Sequence, residues 1–161
     1  MNLKTILVPV DGSVVAEAAL KPAVEVARAT KAKLVLLRAA QAHTLPMADP
    51  IEAQVDVMRE AQEYLAAART RVLADGVRDV EISAWYGPAV EAIVEAARYR
   101  HADLIVMSSH GRSGVSRLVL GSVAESVLRA TAVPILLIRP DGAPLNTPFT
   151  GAPSAKEIAH V

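Results

Sequence analysis

Short apolar runs alternate with longer amphipathic stretches along the chain. Five runs have the length and composition of buried strands: TILVPV (5–10), KLVLLRA (33–39), DVEISAW (79–85), DLIVM (103–107) and PILLI (134–138). Between them, apolar positions recur every three or four residues, which predicts helices over residues 13–31, 51–76, 88–97 and 122–131. Pro22 lies inside the first predicted helix and should kink or loosen it locally.

This alternation of five strands with four helices predicts an α/β fold. Strands that are nearly continuous apolar runs are typical of a parallel sheet with helices on both faces. Because crossover connections are right-handed, we expect a single doubly wound open sheet of five parallel strands, Rossmann-like in type. The segment 141–161 is rich in proline, glycine, alanine and threonine, so we expect one domain over residues 1–140 and a loose C-terminal tail over residues 141–161.

The composition narrows the classes of partner and compartment. With 17 basic and 17 acidic side chains, the overall charge favours neither nucleic acid nor an anionic membrane as a partner. The absence of cysteine excludes disulfides, thiolate metal sites and cysteine nucleophiles. The N-terminal stretch MNLKTILVPVDGS lacks the pattern of a signal peptide, and no apolar run approaches the ~20 residues of a membrane span. We therefore expect a cytoplasmic protein.

The stretch SSHGRSGVSRLVLGS (108–122) carries the candidate chemistry. It follows the fourth strand, and in open α/β sheets ligands bind beyond the carboxyl ends of the strands. Ser122 and Glu125 form a capping-box pattern, which places a helix N-terminus at Ser122. Backbone N–H groups at such a terminus, next to glycines, bind phosphate well. The stretch therefore predicts a phosphate cradle, and an ordinary loop that uses its glycines only for turning is the alternative.

Other kinds of site are less well supported by the same stretch. HGRSG does not match the G-x-S-x-G pattern of serine hydrolases, and the spacing gives His110 no nucleophile to activate. Neither G-x-G-x-x-G nor G-x-x-x-x-G-K-[ST] occurs in the chain. We predict no catalytic residue and no metal site held by the protein alone.

Three segments give the chain a family resemblance: ILVPVDGS, GPAVEAIVEAA and ADLIVMSSHGRSGVSRLVLGSVAESVLRATAVPILLIR. Together they resemble the universal stress protein family from about residue 3 to residue 139. Its nucleotide-binding branch has the pattern G-x2-G-x9-G-[ST], which Gly111 and Gly121-Ser122 match, whereas Ser108 stands at the first glycine. The resemblance implies the strand order 3-2-1-4-5. It also implies ATP as the ligand, whose phosphates can carry Mg²⁺ or Mn²⁺.

The resemblance also implies a set of nucleotide-binding residues. Asp11 would lie near the ribose or a phosphate-bound metal ion, Ala39 would meet the adenine edge through its backbone, and Met107 would pack against the nucleoside. The remaining members would line the adenosine or hold the phosphates: Pro9, Val10, Ser108, His110, Gly111, Arg112, Gly121, Ser122 and Val123. Asp11 as a simple helix cap and Met107 as a plain core residue are the alternatives.

The expected function is that of an ATP-binding stress-response sensor or regulator, at most a slow ATPase. We expect a homodimer that pairs through the edge strand at residues 134–139, because an uncovered apolar edge strand invites aggregation. A dimeric interaction or chaperone-like module of the same family that binds no nucleotide is the alternative. An adenylating ligase is a third hypothesis, but PVDGSV lacks the S-G-G-x-D-S type loop that such ligases usually have after the first strand.

Overall fold

In the computed structural model, which describes residues 2–42, 49–110 and 120–140, strands and helices alternate along the chain. The strands are β1 (Thr5–Pro9), β2 (Lys33–Ala40), β3 (Val80–Tyr86), β4 (Leu104–Ser108) and β5 (Ile135–Ile138). The helices are α1 (Val14–Glu17), α2 (Leu20–Thr30), α3 (Pro50–Ala74), α4 (Ala89–Tyr99) and α5 (Ser122–Ala130). Residues 141–161, the predicted tail, lie outside the described part of the chain.

The five strands form one open parallel sheet in the order β3-β2-β1-β4-β5, which confirms the predicted topology. β1 pairs with β2 over its whole length, from Thr5 with Lys33 to Pro9 with Leu37. Its pairing with β4 covers only Ile6 with Leu104 and Leu7 with Ile105. Beyond Leu7 these two central strands separate, and the sheet opens at its carboxyl edge where the winding direction reverses.

Side chains alternate between the two faces of the sheet and form two apolar cores. On one face, Val8 and Leu36 pack with α2 and α3, and on the other, Leu7 and Leu37 pack with α4 and α5. Val8, Leu7 and Leu36 are fully buried. Burial on both faces is the reason that the central strands are continuous apolar runs in the sequence.

The first predicted helix is divided into α1 and α2, so the described part of the chain contains five helical segments. Around the break the N–H groups of Ala18 and Ala19 bond to carbonyls only three residues back, at 3.4 and 3.2 Å. Pro22 falls in the first turn of α2, where its missing N–H costs no helical hydrogen bond. The predicted loosening at this proline therefore takes the form of a helix break just before it.

Within the described residues, none of the helices combines the length and the apolar character that crossing a membrane requires.

Candidate functional site

A cavity of about 270 Å³ lies at the carboxyl edge of the sheet, where β1 and β4 separate. Its volume is slightly below the ~300–1,000 Å³ that is typical of small-molecule sites. Ten of the residues that the sequence proposed line it: Pro9, Val10, Asp11, Ala39, Met107, Ser108, His110, Gly121, Ser122 and Val123. Gly111 and Arg112, the other two proposed residues, lie outside the described residues.

The turn after β1 holds Asp11 in place. Its Oδ1 accepts the N–H of Ser13 at 2.8 Å, and the Oγ of Ser13 in turn caps α1 by accepting the N–H of Ala16 at 3.1 Å. The cap of the first helix is thus Ser13, not Asp11. Asp11 orders the turn and also lines the cavity.

The end of β4 forms the opposite wall of the cavity. Ser108 is buried, and its Oγ accepts the N–H of His110 at 3.3 Å. The Oγ of Ser109 lies 3.0 Å from Nδ1 of His110, a pair that sequence reasoning did not propose. Because the pair joins adjacent residues, it orders this turn, and we assign it no catalytic step.

The N-terminus of α5 reaches the same wall. The N–H of Gly121 donates to the carbonyl of Ser109 at 2.7 Å, and a Cβ at Gly121 would lie only 3.0 Å from that oxygen. Glycine therefore fits this close approach without strain, whereas a Cβ would require the Ser109 carbonyl to shift by a few tenths of an ångström. The first N–H groups of a helix have no partner within it, so this terminus is suited to an anion.

The helix begins at Ser122 as predicted, but the capping box is wrong. The N-cap is Gly121, which has no side chain to close the box. Glu125 accepts instead from Nη2 of Arg129 at 2.9 Å, one turn further along the helix. The bond between Gly121 and Ser109 fixes the entry of the chain into α5, so Ser122 is exposed at the first turn and its hydroxyl makes no cap bond.

The other end of the cavity is apolar. Met107 and Leu37 contribute there, together with Ala39, whose side chain is half-buried. The carbonyl of Leu37 accepts the N–H of Val10 at 2.8 Å. Since alternate residues of a strand direct their backbone groups to the same side, Ala39 directs its N–H and C=O past the end of β1 into the cleft.

Six lining residues were missed by sequence reasoning: Ala16, Leu37, Ala89, Ile93, Ser109 and Ala124. Ala89 and Ile93 belong to α4, a helix that the sequence predicted but did not connect with the site. The Gly87-Pro88 pair, which places the start of α4 beside the carboxyl edge of the sheet, was the available signal. Small and aliphatic side chains carry no local chemical signature, so only their packing identifies them.

Comparison with known proteins agrees with this fold. The model of the universal stress protein family matches residues 2–139. The chain belongs to the universal stress protein family. A curated Staphylococcus aureus relative that bears a universal stress protein name is 32% identical over 149 residues, which cover 91% of this chain and 90% of the relative.

Solved universal stress proteins share the architecture. UspA from Lactobacillus plantarum superposes with a TM-score of 0.75 at 26% identity, covering 86% of this chain and 99% of that protein. A universal stress protein solved in complex with cAMP has a TM-score of 0.69 at 28% identity, covering 86% of this chain and 98% of that one. The fold, the strand order and the family are thus established together.

Proposed function

We propose that this universal stress protein binds an adenine nucleotide, with ATP as the ligand, and acts as a stress-response sensor or regulator. The main support for the proposal is the cavity between the carboxyl ends of β1 and β4, which has an apolar end and a helix N-terminus at its other end. Its apolar end suits a purine ring, and the N-terminus of α5 at its other end suits phosphate. The complex of a family relative with cAMP supports an adenine nucleotide as the ligand class.

The cavity residues divide into three roles under this proposal. Met107 and Ala39 would face the base, the latter offering backbone groups to its edge. Gly121, Ser122 and Val123 would hold phosphate through backbone N–H groups. Asp11 would contact the ribose or a metal ion carried by the phosphates.

A divalent cation fits this site only as a companion of the nucleotide. Within the described part of the chain, no group of three or more His, Cys, Asp or Glu side chains could hold a metal ion. Mg²⁺ is commonly bound by one or two carboxylates together with substrate phosphates. Asp11 is a carboxylate of the cavity and would supply that ligand, while the phosphates would supply the others.

Filling the apolar end of the cavity tests the proposal directly. Ala89→Phe places a large side chain in the cavity and changes none of the proposed ligand contacts, so ATP affinity should fall by at least about tenfold, or ~1.4 kcal/mol. Calorimetry with Mg²⁺ present measures it, and Trp85, the single tryptophan of the chain, gives an independent fluorescence signal because it lies opposite Ala39 in the sheet.

Ala66→Phe is the matched control, since Ala66 lies on the exposed side of α3 and the same substitution there should leave the affinity unchanged. Nucleotide analysis of the heat-denatured wild-type protein completes the test. If no adenine nucleotide co-purifies and none binds in calorimetry, the proposal is overturned in favour of an interaction module that binds no nucleotide.

We further propose that the protein is a cytoplasmic homodimer that pairs through residues 134–139. β5 is the edge strand next to β4, and it is less buried than the central strands. Leu136 is 36% exposed, so apolar surface lies on this edge. An antiparallel copy of the strand would cover both the apolar side chains and the open backbone edge.

A further inference from the structure

A polar network lies behind the turn that carries Asp11, on the face of the sheet that packs against α3. Its centre is Arg38 of β2, whose side chain is only 11% exposed. Nη2 of Arg38 donates to Oε1 of Glu60 at 2.8 Å, and its Cζ lies 5.0 Å from the centre of the Tyr64 ring. Two residues of α3 thus hold one buried guanidinium at the carboxyl end of β2.

This guanidinium lies beside the turn between β1 and α1. A Cβ added at Gly12 would lie 3.6 Å from Nη1, 3.7 Å from Cζ and 3.8 Å from Nη2 of Arg38, so the guanidinium faces Gly12 with room for about one methyl group between them. Gly12 has a φ of +84° in the left-handed region. The turn therefore runs past Arg38 in a conformation that glycine adopts readily.

The same network anchors α1. This helix has only four residues, too few to be stable by their own hydrogen bonds. Its last residue, Glu17, accepts from the hydroxyl of Tyr64 at 2.7 Å and from both terminal nitrogens of Arg71 at 2.8 and 3.0 Å. The hydrogen bonds from Arg71, with that from Tyr64, lower the pKa of Glu17 despite its partial burial. α3 thus fixes both sides of the Asp11 turn.

We propose that Arg38 is a positioning residue for the nucleotide site, which orients Asp11 by supporting the Gly12 turn. The inference rests on the proposed function. Arg38 does not line the cavity, so it acts through the turn and not by contact with the ligand. Its planar group faces Gly12 while keeping the ion pair with Glu60, a combination that the ammonium group of lysine lacks.

The first test measures ATP affinity by calorimetry in the full chain. Arg38→Met should weaken binding by about tenfold, and Arg38→Lys should restore part of the loss because it retains the charge near Glu60. Lys33→Gln is the matched control, since Lys33 forms a comparable 2.9 Å ion pair with Glu81 at the amino end of the same strand. It should change the affinity by less than about twofold.

A double-mutant cycle separates positioning from general damage to the fold. In the background of Asp11→Asn, the loss caused by Arg38→Met should be much smaller than in wild type, because the turn that Arg38 supports no longer presents a carboxylate. Losses that simply add would overturn the inference.

Amide hydrogen exchange gives a readout that needs no nucleotide. The N–H groups of Ser13 and Ala16 are bonded within the turn, so Arg38→Met should speed their exchange while β4 and α5 keep their protection. Unchanged exchange at both amides overturns the inference even if ATP affinity falls. If wild type binds no ATP, the proposed function fails, and faster exchange in the variant would still support Arg38 as the residue that orders the Asp11 turn.

Discussion

Ser108 is the residue at which this chain departs from the nucleotide-binding pattern of its family. It is the last residue of β4, buried at the edge of the cavity, with its hydroxyl bonded to the N–H of His110. The serine therefore has a local role in the turn that a glycine would not have. Its Cβ and hydroxyl also occupy space beside the cavity, where a ribose would approach.

Ser108→Gly should therefore bind ATP more tightly than wild type, by about tenfold or ~1.4 kcal/mol, if the side chain crowds the ligand. Calorimetry measures the affinity. Ser108→Ala is the matched control, because it keeps the Cβ and removes the hydroxyl: a gain with alanine as large as with glycine would assign the crowding to the hydroxyl. If the glycine variant binds no more tightly than wild type, serine is tolerated and the departure is harmless.

At the scale of elements, local patterns gave the type of each segment correctly but not every boundary. The first helix breaks before Pro22, and α5 is capped by Gly121 and not by Ser122. The capping-box pattern at Ser122 and Glu125 was wrong, and in both cases backbone hydrogen bonds decided the boundary: bonds that span three residues around Ala18, and the bond between Gly121 and Ser109. Such bonds depend on neighbouring segments, which a local pattern does not contain.

The prediction at the scale of elements concerns pairing through the edge strand β5. Leu136→Lys should convert the proposed homodimer to monomer, because an ammonium group would be buried without a partner at the paired edge. Sedimentation velocity measures the change. Leu73→Lys is the control, since Leu73 is 39% exposed on α3, away from the edge, and should leave the dimer intact. A wild-type protein that sediments as a monomer at micromolar concentration would rule out this interface.

At the scale of the whole molecule, carboxylates join distant segments. Oδ2 of Asp103 accepts the N–H groups of Lys4 and Thr5 at 2.8 and 2.9 Å, which lowers the pKa of Asp103. The hydrogen bond from Lys33, supported by the charge of Arg100, lowers the pKa of Glu81 in the same way. These groups attach the N-terminus to β4 and connect the start of β2 to α4.

The free energy of unfolding should therefore decrease in acid. The folded carboxyls have lower pKa values than the unfolded ones, so their stabilisation is complete above about pH 5 and is lost as the pH falls through the folded values. Thermal melts across this range measure the loss. Asp103→Asn should lower Tm near neutral pH by about 2–4 °C and reduce the acid dependence.

Glu63→Gln serves as the control for this pH series, since Glu63 is exposed on α3, and it should leave the acid dependence unchanged. An Asp103→Asn variant with the same acid dependence as wild type would contradict the assignment to Asp103.

The sequence by itself determined the α/β class, the five strands, the helices between them and the loops at the carboxyl edge, because hydrophobic periodicity is a local property that burial on both faces imposes on each strand. Its family resemblance pointed to the residues that the cavity brings together, from Asp11 to Gly121. Tertiary structure alone decided that Ala89 and Ile93 of α4 complete the cavity, and that the guanidinium of Arg38 lies beside the Gly12 turn. Both depend on how segments far apart in the chain pack against one another. Neither small apolar side chains nor a single arginine in a strand indicates locally which residues it will contact in the folded protein.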